Sequence, residues 1–310
     1  MRFSVQLPTD RVEYGAEFVS GEAVAECARA AEAAGFDAAF VTDHPVPDDR
    51  WLAAGGHHTV DPFVALSFAA AATEGLRLQT NVLVLPYRNP FLVAKAAASL
   101  DALSGGRLIL GVAAGYLESE FAALGVDFAE RNELSDEAII AIKRAWGEEG
   151  VAMRGRHFEA AGNTQLPRPV QKPHPPIWVG GNSRRAIRRA VELADGWLPF
   201  PAPRRMAAHI RTASIESLED LEARIGYARE HAAAVGRSAP LDIGFVPFGF
   251  EIRSMGAVDA AQLHESVASL HALGVTWVAI NVPCRSRSEY RDRVGALGEA
   301  IRADAHANTQ

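Results

Sequence analysis

The stretch RFSVQLPTD, Arg2–Asp10, decides between two folds. Arg2–Leu7 reads as a strand, and the turn that follows, Pro8-Thr9-Asp10, holds no glycine. A doubly wound dinucleotide fold places a glycine-rich turn here, so that the backbone can approach a pyrophosphate at the next helix. The rest of the chain alternates short β-rich runs with longer helical ones, which calls for an α/β architecture. Without the glycine-rich turn, a closed barrel is favoured over an open sheet.

Outward from this stretch the alternation continues. Gly21–Ala34 has apolar residues at helical spacing, with Gly35 in the place of a C-cap glycine. Asp37–Thr42 is the second strand. Asp61 and Pro62, an N-cap residue and an N1 proline, open a helix to about Thr73. Leu76–Leu85 is the third strand, Pro90–Leu103 a helix and Arg107–Val112 the fourth strand. Helices around Glu118–Leu124 and Asn132–Glu148 follow. Residues 150–175, rich in glycine and proline, read as an insertion with a small hairpin. The rhythm resumes with strand Ile177–Val179, helix Ser183–Leu193, strand Gly196–Phe200 and helices to about Val235. Strand Leu241–Phe248, helix Asp259–Leu273, strand Thr276–Asn281 and a helix from about Ser288 complete it. The tail Asp304–Gln310 reads as frayed. Several strands are apolar without clean alternation, as in a parallel sheet buried on both faces. Eight β–α units predict one (β/α)8, or TIM, barrel over residues 1–310, with an insertion after strand four.

Composition agrees with a globular chain of this size: 48% of its 310 residues are apolar and 22% charged. Thirty-one basic residues against 38 acidic ones leave a net charge of −7, which argues against a nucleic-acid partner. Cys27 and Cys284, far apart in sequence, build neither a disulfide framework nor a zinc site. No basic segment precedes an apolar run at the start, as a signal peptide requires. Apolar runs such as Phe63–Ala72 are too short to cross a bilayer. The expectation is a cytoplasmic protein that binds no metal and no membrane.

In a barrel, chemistry sits at the C-terminal ends of the strands. The second strand ends Thr42-Asp43-His44-Pro45, and strand alternation sends Asp43 and His44 to opposite sides. His44 is either a proton-transfer group or a satisfied turn residue. Asn81, polar within an apolar third strand, marks a bulge, a core hydrogen bond or a site. After the fourth strand, Ala113, Ala114 and Gly115 let something approach the backbone, or permit close helix packing. Gly180-Gly181-Asn182-Ser183 opens a helix and is either an anion-binding turn or a plain capped turn. Arg184, Arg185, Arg188 and Arg189 read as phosphate-side charge or as a solvated face. His57-His58 lacks a third ligand at metal-binding spacing, which favours a solvated loop. Walker, zinc-protease and serine-nucleophile patterns are absent.

Four segments carry a resemblance: FVTDHP (40–45), TNVLVLPYRNP (80–90), LDALSGGRLILGVAAGYLESEF (100–121) and LPRPVQKPHPPIWVGGNSRRAIRRAVELADGW (166–197). In this order and spacing they resemble the bacterial-luciferase-like flavin and deazaflavin oxidoreductases, most firmly over residues 36–200. Residues 235–310 match only in rhythm. The resemblance implies a (β/α)8 barrel whose mouth holds a flavin-type ring, with coenzyme F420 as cofactor and FMN as the alternative. It places His44 at the ring's reactive edge and Asp43 as a positioning group. It points to a non-prolyl cis peptide at Asn81–Val82, and sets Ala114 and Gly115 against the cofactor. It gives the cofactor phosphate to Gly180, Gly181, Asn182 and Ser183. Where sugar-phosphate dehydrogenases of the family carry an acidic residue, this chain has Tyr116, a poor carboxylate substitute near neutrality; Glu120 is a further candidate acid at the mouth. The implied activity is hydride transfer between F420 and a small organic substrate, with His44 or Tyr116 assisting protonation. The alternative is a monooxygenase that takes reduced FMN from a partner reductase and activates oxygen. The resemblance also implies a homodimer or tetramer. A non-catalytic barrel that has lost its cofactor is a third possibility, against which His44 and the intact Gly180–Ser183 turn both argue.

Overall fold

Strand β1, Arg2–Gln6, pairs in parallel with β2, Ala38–Val41, on one side and with the last strand, β11, Trp277–Ile280, on the other. First strand against last is the pairing that closes a barrel. The computed structural model describes residues 1–249 and 260–307. From β2 the sheet passes through β3, Arg77–Thr80, to β5, Leu108–Ala113, and on to β8, Ile177–Gly180. It returns through β9, Gly196–Leu198, and β10, Asp242–Phe245, to β11, with every pairing parallel. The predicted helix start at Asp259 and the last three residues of the predicted frayed tail lie outside the described residues.

The third strand differs from its expected continuous form. It breaks after Thr80 and resumes as β4, Leu83–Val84, which pairs with β5. The reason lies in β5. Thr80 donates its hydroxyl to the Gly111 carbonyl at 2.7 Å. A Cβ on Gly111 would stand 2.0 Å from the Thr80 carbonyl oxygen, so only glycine admits this crossing. The Asn81–Val82 peptide at the break is cis.

Helices α1 (Gly21–Ala33), α3 (Pro62–Ala72), α4 (Pro90–Leu103), α6 (Arg131–Gly147), α7 (Arg184–Leu193), α9 (Leu218–Ala234), α10 (Ala260–Leu273) and α11 (Arg287–Ala307) surround the strands. Short helices α2 (Asp49–Ala53), α5 (Glu118–Ala123) and α8 (Arg204–His209) follow strand ends at the mouth. The helix signals act locally. Asp61 Oδ1 accepts the N–H groups of Phe63 and Val64, and Gly35 ends α1 with φ +87°. The predicted insertion is an antiparallel hairpin of β6, Val151–Arg154, and β7, Glu159–Asn163.

Strand residues divide by parity. Val5, Ala39, Leu78, Leu110, Val179 and Ile243 face outward into one apolar layer under the helices. Ala38, Ile109, Trp178, Leu198 and Trp277 fill the barrel interior. The Trp178 and Trp277 rings meet edge-on, their centroids 5.1 Å apart. Gly196 makes room for the Trp178 indole, since a Cβ there would lie 2.4 Å from it. The interior is therefore plugged, and the chemistry is confined to the loops above it.

Candidate active site

The end of β2 sends its residues to two separate networks. The Asp43 carboxylate, almost fully buried, accepts the Val84 N–H at 2.9 Å and both terminal nitrogens of Arg88 at 2.7 and 2.9 Å. Such a two-pronged ion pair fixes geometry as well as charge. Asp43 thus ties β4 and the turn after it to β2, and its oxygens are spent on that segment.

His44 points the other way. Its Nδ1 lies 3.1 Å from Oε2 of Glu120, which α5 presents. Glu120 was a candidate acid at the mouth; the structure places it beneath His44, with no exposed surface. Its Oε1 accepts the Val46 N–H at 3.0 Å, and its Oε2 accepts the Tyr87 hydroxyl at 2.9 Å. Glu120 therefore faces His44 and has no surface open to the mouth.

Three more rings gather at His44. Trp51 lies tilted over it, centroids 4.4 Å apart. His57 stands perpendicular at 5.1 Å, and Tyr116 at 6.0 Å. Trp51 is set down on Gly56, where a Cβ would be 2.1 Å from the indole. Asp48 caps α2 through the Trp51 N–H at 2.9 Å and takes the Ser119 hydroxyl on its other oxygen. The segment from His44 to Trp51 is so latched to α5. His57 departs from the expected solvated loop: its Nε2 lies 3.3 Å from the Thr42 hydroxyl. Burial, and then the neighbouring His44, lower its pKa to about 4, so its ring is neutral near pH 7. His58 is exposed, as expected. Burial, and then the charge of Glu120, push the Tyr116 phenol up to about 12, so it keeps its proton. Among the described residues there is no cluster of three or more potential metal ligands.

The floor of the mouth brings Val82 and Gly180 together: a Cβ on Gly180 would lie 3.2 Å from Val82 Cγ1. Val82 also packs on the interior cluster of Trp178 and Leu198. Asn81 and Ala114 are half-buried. Gly115 has φ +79°, and a Cβ on it would meet Val84 at 2.6 Å and Phe121 at 2.9 Å. Its small size is thus used by the protein's own side chains.

The turn before α7 is only partly what the sequence suggests. The Gly181 N–H is taken by the Leu198 carbonyl at 3.2 Å, and the Asn182 N–H by the Thr212 hydroxyl at 2.9 Å. The Asn182 side chain donates to the carbonyls of Phe200 and Ala213 and accepts from the Phe200 N–H. These groups organise the turn and are not available to a phosphate. The first-turn N–H groups of Arg184 and Arg185 remain, because a helix start has no internal acceptor for them. Ser183 caps α7 by accepting the Ala186 N–H at 3.2 Å.

The arginine face of α7 is in part the solvated face that the sequence suggests, since Arg184 and Arg188 are exposed, but its groups also meet neighbouring helices. Arg185 pairs with Glu133 at 2.8 Å and Asp136 at 3.2 Å, and Arg189 is buried against Asp136 and the Asn132 carbonyl. Arg184 lies over the Tyr227 ring, and Arg188 donates to its hydroxyl. Sequence reasoning missed Tyr87 and Arg88, although both stand in the quoted PYRNP stretch directly after the interrupted strand. It also missed Thr212, whose hydroxyl carried no signal.

The arrangement offers an imidazole on a buried carboxylate, a protonated phenol, neutral aromatic walls and a small-residue floor above a plugged barrel. Residues 1–270 match the family model described as luciferase-like monooxygenase. An FMNH2-dependent dimethylsulfone monooxygenase of Pseudomonas putida is 30% identical over 220 residues, 70% of this chain and 55% of that protein. The monooxygenase RslO1 of Streptomyces bottropensis superposes with a TM-score of 0.78 at 22% identity, over 97% of this chain and 98% of that one. A coenzyme F420-dependent tetrahydromethanopterin reductase of Methanopyrus kandleri superposes with a TM-score of 0.71 at 17% identity, over 96% and 97% of the two chains. The (β/α)8 barrel is common to these structures, and the chain belongs to the luciferase-like monooxygenase family of oxidoreductases.

Proposed function

We propose that the chain is a coenzyme F420-dependent oxidoreductase that moves a hydride between the deazaflavin and a small organic substrate. The observation that carries this reading is His44, an imidazole backed by a fully buried carboxylate and screened by three aromatic rings at a barrel mouth. When bound, the deazaflavin supplies the hydride chemistry. The remaining tasks fall to the protein. Val82 and Gly180, packed against each other, would form the floor under the deazaflavin ring. The first-turn amides of α7 offer N–H groups to its phosphate. His44 takes up or delivers the proton that accompanies the hydride. Tyr116, which stays protonated, donates a hydrogen bond. Trp51 and His57 keep water from the reacting edge. These walls are uncharged near neutrality, which suits an uncharged, flat organic substrate.

A second reading, a monooxygenase that uses reduced FMN and oxygen, is favoured by the 30% identity to an FMNH2-dependent relative. Fluorescence titration of the purified protein with each cofactor separates the two. F420 binding supports the first, whereas submicromolar FMN binding without F420 binding overturns it. In assays with the competent cofactor, His44→Ala is expected to lower turnover by about 10²–10⁴-fold while cofactor affinity holds. A loss of only about twofold would make His44 structural.

A further inference from the structure

The turn Pro86-Tyr87-Arg88 serves the two adjacent residues at the end of β2 with two adjacent side chains of its own. Arg88 holds Asp43, and Tyr87 reaches Glu120, the partner of His44. Glu120 is enclosed, so its contacts are confined to the protein. The Val46 N–H can only donate, which commits Oε1 as an acceptor. Tyr87 is 2.9 Å from Oε2. Burial, and then the charge of Glu120, hold the Tyr87 phenol well above its ordinary range, so it keeps its proton and donates it. The third neighbour, His44 Nδ1 at 3.1 Å, shares Oε2 with Tyr87. A carboxylate accepts at both oxygens and donates at neither.

We infer that Glu120, anchored by Tyr87 and the Val46 N–H, fixes His44 in the tautomer that carries its proton on Nδ1, and so makes Nε2 the nitrogen presented at the mouth. Glu120 and Tyr87 are then positioning residues: they choose which ring nitrogen can accept or release the transferred proton. The functional meaning rests on His44 as the proton-handling group, but the tautomer itself requires neither cofactor nor substrate to be seen.

The test is a long-range ¹H–¹⁵N correlation spectrum of protein labelled in its histidine rings, at about pH 8, above the range where imidazole charges. The signal lost in His44→Gln identifies the ring. The wild type is expected to show a protonated Nδ1 and a bare Nε2. In Glu120→Gln the Val46 N–H holds the amide oxygen on its side, turning the amide nitrogen toward His44. That nitrogen donates to Nδ1, and the proton moves to Nε2. Tyr87→Phe keeps the ring on Phe121, centroids 4.8 Å apart in the wild type, and keeps the Nδ1–H form. Its Nδ1 proton shifts downfield, as the remaining side-chain donor to that oxygen. A wild-type proton on Nε2, or an unchanged pattern in Glu120→Gln, overturns the assignment. An unchanged spectrum in Tyr87→Phe removes Tyr87 from it. If Glu120→Gln fails to fold, the wild-type and Tyr87→Phe spectra still decide. Cofactor titration of the same samples reports separately on the proposed function.

Discussion

His57 shows how a single side chain changes meaning once its neighbours are known. In the sequence it is half of a His-His pair in a polar loop. In the fold its ring packs on Trp51 and stands across His44, with Glu120, His58 and Arg11 also acting on it. Its folded pKa of about 4 lies below the unfolded value of about 6.5. Both states leave the ring neutral above the unfolded value. Between the two values the unfolded chain takes up a proton that the folded one refuses, so stability falls as pH falls through this window. The loss levels off below about pH 4 at up to about 3 kcal/mol. Urea unfolding of wild type and His57→Gln across this range should show a stability difference that shrinks toward acid. A difference that stays constant with pH would mean that the ring is not buried as described. Asp43 and His44 were legible as a pair facing opposite ways, because strand parity is a local property. Their partners, Arg88 and Glu120, were not, because 45 and 76 residues separate each donor from its acceptor.

At the scale of elements, caps were legible and loop hydrogen bonds were not. The Ser183 cap and the Asp61-Pro62 start follow from side-chain chemistry within a few residues. Ser183→Ala should lower stability by about 1 kcal/mol, measured by thermal unfolding, and leave cofactor affinity nearly unchanged. The amides at the start of α7, and not the Ser183 hydroxyl, are the groups assigned to the phosphate. A large loss of affinity with stability intact would move the hydroxyl into the binding site. The amides of Gly181 and Asn182 looked equally available in the sequence. They are consumed by β9 and by Thr212, partners that the turn meets only when the strands close. The interrupted third strand belongs to the same class. Asn81 marked it, but the crossing depends on a glycine in the next strand, Gly111.

At the scale of the whole molecule, the barrel is held by two apolar layers, and ion pairs decorate its rim. Arg287 ties α11 to α1 through Glu26 at 2.9 Å, with Glu17 and Glu22 nearby. These pairs join first helix to last, as β1 and β11 join first strand to last. They are partly exposed, so Arg287→Ala should cost less than about 1 kcal/mol in urea unfolding. A loss of several kcal/mol would show that closure depends on charge. A net charge of −7 opposes the approach of an anionic cofactor such as the one proposed, so its binding has to be local. Of the arginines that the sequence offered as its counter-charge, Arg185 is paired with Glu133 and Asp136 and Arg184 lies over Tyr227, so the proposed phosphate site is the backbone N–H groups at the start of α7. Local pattern was enough for the eight β–α units, the capped helices, the glycines at the turns and the strand end that carries His44. All of these are set by periodicity and by bonds that span a few residues. Folding alone brings Glu120 under His44, Tyr87 onto Glu120, His57 to the mouth, and the α7 arginines against α6 and α9. Those pairings join residues distant along the chain, and no local pattern encodes which partner a buried polar group will find.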